Sequence, residues 1–253
     1  MSVMGTLMRK QKTLMLENHY NLNNLEHALV GRSELQFVKE DSYFYNQVGL
    51  DSLMKRIHSN MADRNTVAAS SISLLNDSIY YIPQSHVTNK EFFEYEFNQV
   101  LHPLFHALED FSDVVFVDTA GSEHLSSKVI LNEADLVVVN LSQNPIILSD
   151  FFKQYSTLQD KAVFLIGNYN PDSKFNLKNI IRKYHIDKSK IGVIPYNVEF
   201  ADALSEGNVI RFLMHNYDCK KQDGNYYFIQ EVKKSVRMLQ KQMGIDIGEE
   251  FFE

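Results

Sequence analysis

Asp113-Val-Val-Phe-Val-Asp-Thr-Ala-Gly121 is the stretch that decides the fold prediction, because a β-branched apolar run ends there in an acidic residue and a small-residue turn. Similar apolar runs follow at 135–141, 162–167 and 190–195, separated by helical patterns. The runs are apolar on both alternating faces, as expected where helices cover both sides of a parallel sheet. Strands and helices that alternate at this spacing form βαβ units with right-handed crossovers. We therefore expect an α/β fold with a doubly wound, mostly parallel sheet and helices on both faces.

The rest of the chain fits the same architecture. Earlier apolar runs at 12–17 and 78–83 are candidates for further strands, and apolar residues recur at helical spacing over 91–110. Internal repeats, low-complexity tracts and linkers rich in Pro, Gly or Ser are all missing from the sequence. The sequence predicts a single domain over 1–253, with a C-terminal helix at about 226–243.

Composition restricts the class of protein. Apolar residues make up 44% and charged residues 23% of the 253 residues, the ordinary balance of a soluble globular protein. Cys219 is the one cysteine, so it cannot form an internal disulfide, and no apolar run approaches the ~20 residues that span a bilayer. The net charge of −7 and the acidic tail 248–253 argue against indiscriminate binding to nucleic acid and against a basic membrane-anchoring helix. We expect a cytoplasmic protein.

Asp118 is the candidate metal ligand. An acidic residue at the carboxyl end of a buried strand, followed by a turn with glycine, is what Mg²⁺–nucleotide chemistry requires. Asp118 would hold the ion directly or through water, and Gly121 would let the backbone approach a γ-phosphate. The alternative is that Asp118 caps the next helix or ends the strand in a turn. The residues alone leave both interpretations open.

Two further segments add a family resemblance. The run that ends at Gly121, followed by Asn132-Glu-Ala-Asp-Leu-Val-Val-Val-Asn140, resembles the Walker B strand and next strand of the ParA/MinD branch of P-loop ATPases. Gly192-Val-Ile-Pro-Tyr-Asn197 resembles the Ile-Pro strand end of the same family. The resemblance extends over roughly residues 10–215. It implies a P-loop NTPase-like fold, with ATP and Mg²⁺ as cofactors and Asp118 as the metal ligand.

The resemblance also assigns a nucleotide site. Glu17 stands where the family's second strand has an Asp, and Asn168 falls where the family often has an adenine-contacting Asn. Asp118 and its neighbours would be the remnant of the nucleotide switch. The implied cofactor-binding residues are Glu17, Asp118, Thr119, Gly121, Asn168 and Pro195.

The phosphate-binding loop of the family is missing. A P-loop reads Gly-x-x-x-x-Gly-Lys-Ser/Thr, because its N–H groups cradle the phosphates and its lysine neutralises them. The chain contains no Gly-Lys dipeptide. The strand at 13–17 corresponds to the family's second strand and the helix at 2–10 to the helix after the loop, so we expect the domain to be incomplete at its amino end. Because the phosphate contacts are lost, we expect no efficient ATP hydrolysis and weakened ATP binding.

Two functional hypotheses follow. The first is a ParA/MinD-like positioning or regulatory protein with a degenerate nucleotide site, which is no enzyme as it stands and acts through homodimerisation and protein partners. The combination of a degenerate nucleotide site with the segment Phe228-Ile-Gln-Glu-Val-Lys233 resembles the CpaE/TadZ group of tight-adherence pilus proteins, which implies partners in pilus or secretion machinery. The second is a Mg-ATP-dependent ATPase whose P-loop lies upstream of Met1 because the start has been placed too late. An unrelated doubly wound domain is the third interpretation, and DNA binding is left undecided.

Overall fold

The computed structural model describes residues 1–18, 25–30, 48–61, 63–84, 89–119, 125–155, 158 and 160–245. Its helices are α1 (Ser2–Met8), α2 (Leu25–Leu29), α3 (Leu50–His58), α4 (Arg64–Ala69), α5 (Lys90–Phe111), α6 (Leu125–Glu133), α7 (Pro145–Gln154), α8 (Leu177–Tyr184), α9 (Val198–Glu206), α10 (Val209–His215) and α11 (Tyr226–Gln242). Its strands are β1 (Thr13–Asn18), β2 (Ile72–Leu74), β3 (Ile79–Ile82), β4 (Val114–Thr119), β5 (Val137–Leu141), β6 (Ala162–Tyr169) and β7 (Ile191–Pro195).

The strands form two sheets. In the first sheet the order is β2-β3-β1-β4, with β1 parallel to both β3 and β4 and β2 antiparallel to β3. In the second sheet the order is β5-β6-β7, and all pairs are parallel. The predicted mostly parallel α/β architecture is confirmed, but the strands are divided between two sheets. The division falls between β4 and β5, which follow each other along the chain.

Helices cover both faces of the sheets, as the doubly wound prediction requires. On one face of the first sheet, α3, α4 and α5 pack against Leu14 and Leu16 of β1. On the other face, α1 and α9 to α11 form a layer that contacts Met15 of β1, Phe116 of β4 and Ile194 of β7. Helices α7 and α8 cover the remaining face of the second sheet. The layer of α1 and α9 to α11 therefore spans both sheets.

Strands β4 and β5 are less buried than their sequences predict. Both were expected to be covered on all sides, yet 114–117 in β4 and 138–139 in β5 are only partly buried, whereas β1 is buried along its whole length. The reason is their position, since each is the last strand of its sheet at the division. Apolar side chains at an edge lose the cover that a neighbouring strand would provide.

The predicted elements recur with small shifts in their ends. The predicted C-terminal helix at about 226–243 is observed as Tyr226–Gln242. Residues 49–77, for which no element was predicted, form α3, α4 and the three-residue strand β2. In the described part of the chain, no helix has both the length and the apolar character needed to cross a membrane.

The outer edge of the second sheet is closed by a side chain. The backbone N–H of Val193 in β7 donates to Ser235 Oγ of α11 at 2.9 Å, and the Ser235 hydroxyl donates to the Val193 carbonyl at 2.8 Å. This close approach requires glycine at 192, because a Cβ there would overlap Ser235 Oγ and lie 2.9 Å from Ser235 Cβ. Serine thus satisfies backbone groups that an edge strand otherwise leaves open.

The substitution Gly192→Ala should therefore destabilise the fold, by about 1–3 kcal/mol, because α11 must shift to admit the methyl group. Urea unfolding would measure the change. Gly224→Ala is the matched control, since a Cβ at Gly224 meets nothing within 4 Å. Equal stability of the two variants would show that α11 does not press on β7 as described.

Candidate functional site

The carboxyl ends of β1 and β4 bring the first predicted site residues together. The parallel register pairs Glu17 with Asp118 and Asn18 with Thr119. Partners in register on neighbouring strands project to the same face of a sheet. Glu17 and Asp118 are therefore neighbours on one face, and Asn18 and Thr119 on the other.

The Glu17 carboxylate accepts hydrogen bonds from other residues of the fold. Its side chain is 1% exposed, the hydroxyl of Tyr81 donates to Oε2 at 2.6 Å, and the backbone N–H of Leu25 donates to Oε1 at 2.7 Å. Leu25 is the first residue of α2, so the carboxylate also supplies an acceptor to the start of that helix. Both carboxylate oxygens of Glu17 accept hydrogen bonds from the protein. The residue that the family resemblance assigns to the nucleotide site therefore stabilises the fold.

Tyr81 stays protonated because it is buried and lies beside the Glu17 carboxylate. Burial, followed by the negative charge of Glu17, raises the pKa of Tyr81 well above its ordinary value. The neutral hydroxyl is the form that donates to the carboxylate. A buried carboxylate needs such donors, because an ionised group away from water is costly unless it is hydrogen-bonded.

Asp118 and Thr119 occupy different surroundings. Asp118 is exposed at the end of β4, whereas the hydroxyl of Thr119 donates to Ser127 Oγ in the first turn of α6 at 2.8 Å. Thr119 therefore ties the end of β4 to the helix that follows it. Gly121 lies outside the described residues.

A buried polar network that the sequence did not predict lies next to these residues. The side-chain amide of Asn18 donates to Ser126 Oγ at 3.0 Å, and the Ser126 hydroxyl donates to Glu94 Oε2 of α5 at 2.7 Å. Asn18 and Ser126 are both buried, and within the described part of the chain Asn18 Oδ1 has no hydrogen-bond partner. The network joins β1, α5 and α6 on the face of the sheet opposite to Asp118. The sequence signal was the Ser126-Ser127 pair that follows the Asp-Thr-Ala-Gly turn.

The other predicted residues lie in the second sheet. Asn168 is exposed near the end of β6, at an irregularity of the strand, and its φ of +48° is in the left-handed region. Asparagine tolerates that region better than most residues. Pro195 is buried at the end of β7, opposite Tyr169. The predicted site is thus divided between the two sheets, with Glu17, Asp118 and Thr119 in one and Asn168 and Pro195 in the other.

The metal-ligand prediction for Asp118 depends on a single carboxylate. Within the described ranges, no three His, Cys, Asp or Glu side chains form a group that could hold a metal ion. Mg²⁺ is commonly bound through one or two carboxylates, with water and substrate phosphates as the remaining ligands. An exposed Asp118 fits that mode only if a phosphate is also held, and this role stays a prediction.

Comparison with solved structures identifies the fold. A ParA family ATPase from Chlorobium tepidum superposes with a TM-score of 0.68 at 12% identity, covering 93% of this chain and 91% of that chain. The septum site-determining protein MinD of Pyrococcus horikoshii, complexed with Mg-ADP, gives 0.65 at 14% identity, covering 96% and 89%. The fold is that of the ParA/MinD ATPases. MinD of Aquifex aeolicus in its MinC:MinD complex gives 0.63 at 14% identity, covering 100% and 92%.

The ParA/MinD likeness is one of architecture. No protein-family model and no curated protein matches the sequence. At 12–14% identity, these structures establish the arrangement of strands and helices and leave the roles of individual residues open. The carboxyl ends of the strands remain the place where a ligand is expected in an open α/β fold.

Replacing Tyr81 by Phe tests the internal role of Glu17. The variant should lose about 1.5–3 kcal/mol of unfolding free energy, the range for a hydrogen bond to a charged group. A tyrosine whose pKa is raised on folding contributes its full stability below its unfolded pKa of about 10, and loses it as pH rises above that value. Tyr81→Phe should therefore also flatten the decline in stability above pH 10. Urea unfolding below and above pH 10 measures both effects. Tyr95→Phe, at an exposed tyrosine, is the control.

Proposed function

We propose that this protein is a ParA/MinD-like positioning or regulatory protein that acts through dimerisation and partner binding, without nucleotide turnover. The observation on which the proposal rests is the hydrogen bonding of Glu17. Its two oxygens accept hydrogen bonds from Tyr81 and Leu25, so the residue that would serve the nucleotide stabilises α2 and the sheet instead. The lack of a Gly-Lys dipeptide in a chain with the ParA/MinD architecture supports the same function.

The surface at the carboxyl ends of the strands supports partner binding. Large apolar side chains are exposed directly after β4, β5 and β7 or at the starts of the helices that follow them. They are Leu125, Ile146, Ile147, Tyr196 and Val198. Apolar groups that recur along one edge of a fold mark interaction sites more often than isolated exposed residues do. We assign this edge to contacts with a second copy or with a protein partner.

The cellular role belongs to the same proposal. Neighbours of this fold include MinD in complex with MinC and ParA-type proteins, which supports a role in placing other components. The components placed are either a chromosome or plasmid, as in partitioning, or pilus or secretion machinery, which the degenerate nucleotide site together with 228–233 supports through its resemblance to the CpaE/TadZ group. The charge of −7 favours protein partners over DNA, and we place the protein in the cytoplasm.

Calorimetry with Mg-ATP tests the proposal. Because the sequence lacks the Gly-Lys pair of a P-loop, neither the native chain nor Asp118→Ala should bind detectably at millimolar nucleotide. Asp118 is exposed, so the variant should fold normally. Saturable binding by the native chain that disappears in Asp118→Ala would overturn the proposal and place Mg²⁺ at Asp118.

Association of the chain provides an independent test. The side chain of Ile146 is 77% exposed, so Ile146→Asp should leave the melting temperature unchanged. Sedimentation velocity should show a concentration-dependent dimer for the native chain, with or without ATP, and a monomer for Ile146→Asp. Met61→Asp, at an exposed methionine between α3 and α4, is the matched control and should still dimerise. A native chain that stays monomeric at high concentration would contradict homodimerisation.

The second candidate is a Mg-ATP-dependent ATPase of the ParA/MinD type, with the P-loop on a strand that precedes Met1. One observation favours it. Among the described strands, β4 pairs with β1 alone and β5 pairs with β6 alone, although β4 and β5 follow each other along the chain. Translation of the DNA upstream of Met1 distinguishes the candidates. An in-frame apolar strand with a Gly- and Lys-rich loop, and ATP binding by the longer polypeptide, would favour the ATPase.

A further inference from the structure

The solvent side of α8 and its two flanks is strongly basic. The segment 174–190 has six Lys or Arg side chains and one carboxylate, in a chain whose net charge is −7. The apolar side of α8 packs on the second sheet, where Ile180 is buried. Five of the six cations are exposed, and we call them the α8 basic surface: Lys174, Lys178, Arg182, Lys183 and Lys188.

The α8 basic surface is not neutralised by the described part of the chain. None of its five cations forms an ion pair with a described carboxylate. Asp187, the one carboxylate of the segment, accepts a hydrogen bond from the Ser189 N–H at 2.8 Å and so serves the turn after α8. Lys178 and Arg182 are four residues apart on the helix, a like-charge spacing that destabilises it. An anionic group on this surface would relieve that repulsion.

The end of α11 lies beside the same segment. The side-chain amide of Gln242, the last residue of α11, donates to the Ser189 carbonyl at 3.1 Å. Ser189 is the middle residue of the short 3-10 helix Lys188–Lys190. The helix ends there, since Gly244 has a φ of +70° and the Ile245 N–H donates to the Gln240 carbonyl at 3.0 Å. The chain that follows Ile245 therefore starts next to the α8 basic surface.

That following segment is the counterpart in charge. Asp246-Ile-Gly-Glu-Glu-Phe-Phe-Glu253 has four carboxylates and no Lys or Arg in eight residues, and it lies outside the described residues. Eight extended residues span at most about 26 Å, whereas the eight residues of α8 are about 12 Å long. The segment is long enough to pass from the end of α11 along α8.

We propose that the acidic segment 246–253 docks on the α8 basic surface of its own chain and keeps other anionic partners off that surface. Single surface ion pairs are weak. A segment of the same chain is nevertheless present at an effective concentration on the order of millimolar, which favours the contact without a large interface. The 3-10 helix at 188–190 directly precedes β7, so the contact begins at the amino ends of the strands, away from the edge that we assign to dimerisation.

Carbodiimide cross-linking of the full chain is the first measurement, because it joins a lysine Nζ to a carboxylate in direct contact. Monomers should contain cross-links from 246–253 to Lys183 or Lys188, and about 1 M salt should remove them, since it shortens the Debye length to about 3 Å. Lys220 and Lys221 are exposed before the other end of α11 and are the internal controls. Equal cross-linking of both lysine sets, or cross-links only between two chains, would overturn the inference.

Competition by a free copy of the segment is the second measurement. The probe is a fluorescent peptide with the sequence 246–253, and the variant is the full chain with Glu249→Gln, Glu250→Gln and Glu253→Gln. Because the native surface is occupied for most of the time, the peptide should bind the variant at least about tenfold more tightly than the native chain, measured by fluorescence anisotropy. Equal affinity for the two chains would overturn the inference.

A matched pair of charge reversals locates the contact. In the glutamine variant, Arg182→Glu with Lys183→Glu should abolish peptide binding, while Lys220→Glu with Lys221→Glu should retain it. All four side chains are exposed, so both pairs should fold normally. Peptide binding that survives the first pair would overturn the inference.

Duplex DNA is the competing occupant of a basic surface. If the segment covers α8, the native chain should bind duplex DNA more weakly than the glutamine variant does. DNA binding of equal strength by both chains would assign the surface to nucleic acid and overturn the inference. None of these tests changes Asp118 or Ile146, so their failure leaves the proposed function intact.

Discussion

Strand β1 is the element on which the rest of the structure depends, because it is hydrogen-bonded on both sides and buried along its whole length. Its alternating side chains enter both layers, with Leu14 and Leu16 on the side of α5 and Met15 on the side of α11. Burial of each such side chain stabilises the fold by about 1.5–3 kcal/mol. The same pairing sets the register with β4 and so brings Glu17 beside Asp118.

Glu17 and Asp118 are paired in register but lie in opposite environments, one buried and one exposed. Glu17 is enclosed and supplied with donors by Tyr81 and by the start of α2, so it stabilises the fold. Asp118, one strand away, is exposed. A carboxylate that is saturated internally can contribute little to a phosphate–metal site, which is why we favour partner binding over catalysis.

The strands are divided between two sheets, and the division falls between β4 and β5. Helices α1 and α9 to α11 hold the two sheets under one layer, while the backbone edges between them remain unpaired in the described part of the chain. The long outer edge is closed by Ser235.

The sequence by itself determined the order and type of most elements. Apolar β-branched runs such as 113–118 and 162–167, alternating with helical stripes, are local patterns, and they were enough to predict a mostly parallel α/β fold resembling ParA/MinD ATPases. Helices α3 and α4 and strand β2 were missed. The apolar residues of α3 at 50, 53, 54 and 57 do follow helical spacing, whereas α4 and β2 have only six and three residues and carry little periodic signal. The candidate site was predicted only at the positions that end strong strands.

Tertiary structure alone decided what those residues do. The hydrogen bond from Tyr81 to Glu17 joins residues 64 positions apart, and that between Asn18 and Ser126 spans 108 positions, so no local pattern encodes either one. Likewise, the sequence of β4 is typical of a strand covered on both faces, and only the tertiary structure shows that, among the described strands, β4 pairs with β1 alone and that 114–117 are only partly buried. Burial and hydrogen bonding depend on which distant segments meet, whereas strand and helix patterns depend on neighbours along the chain.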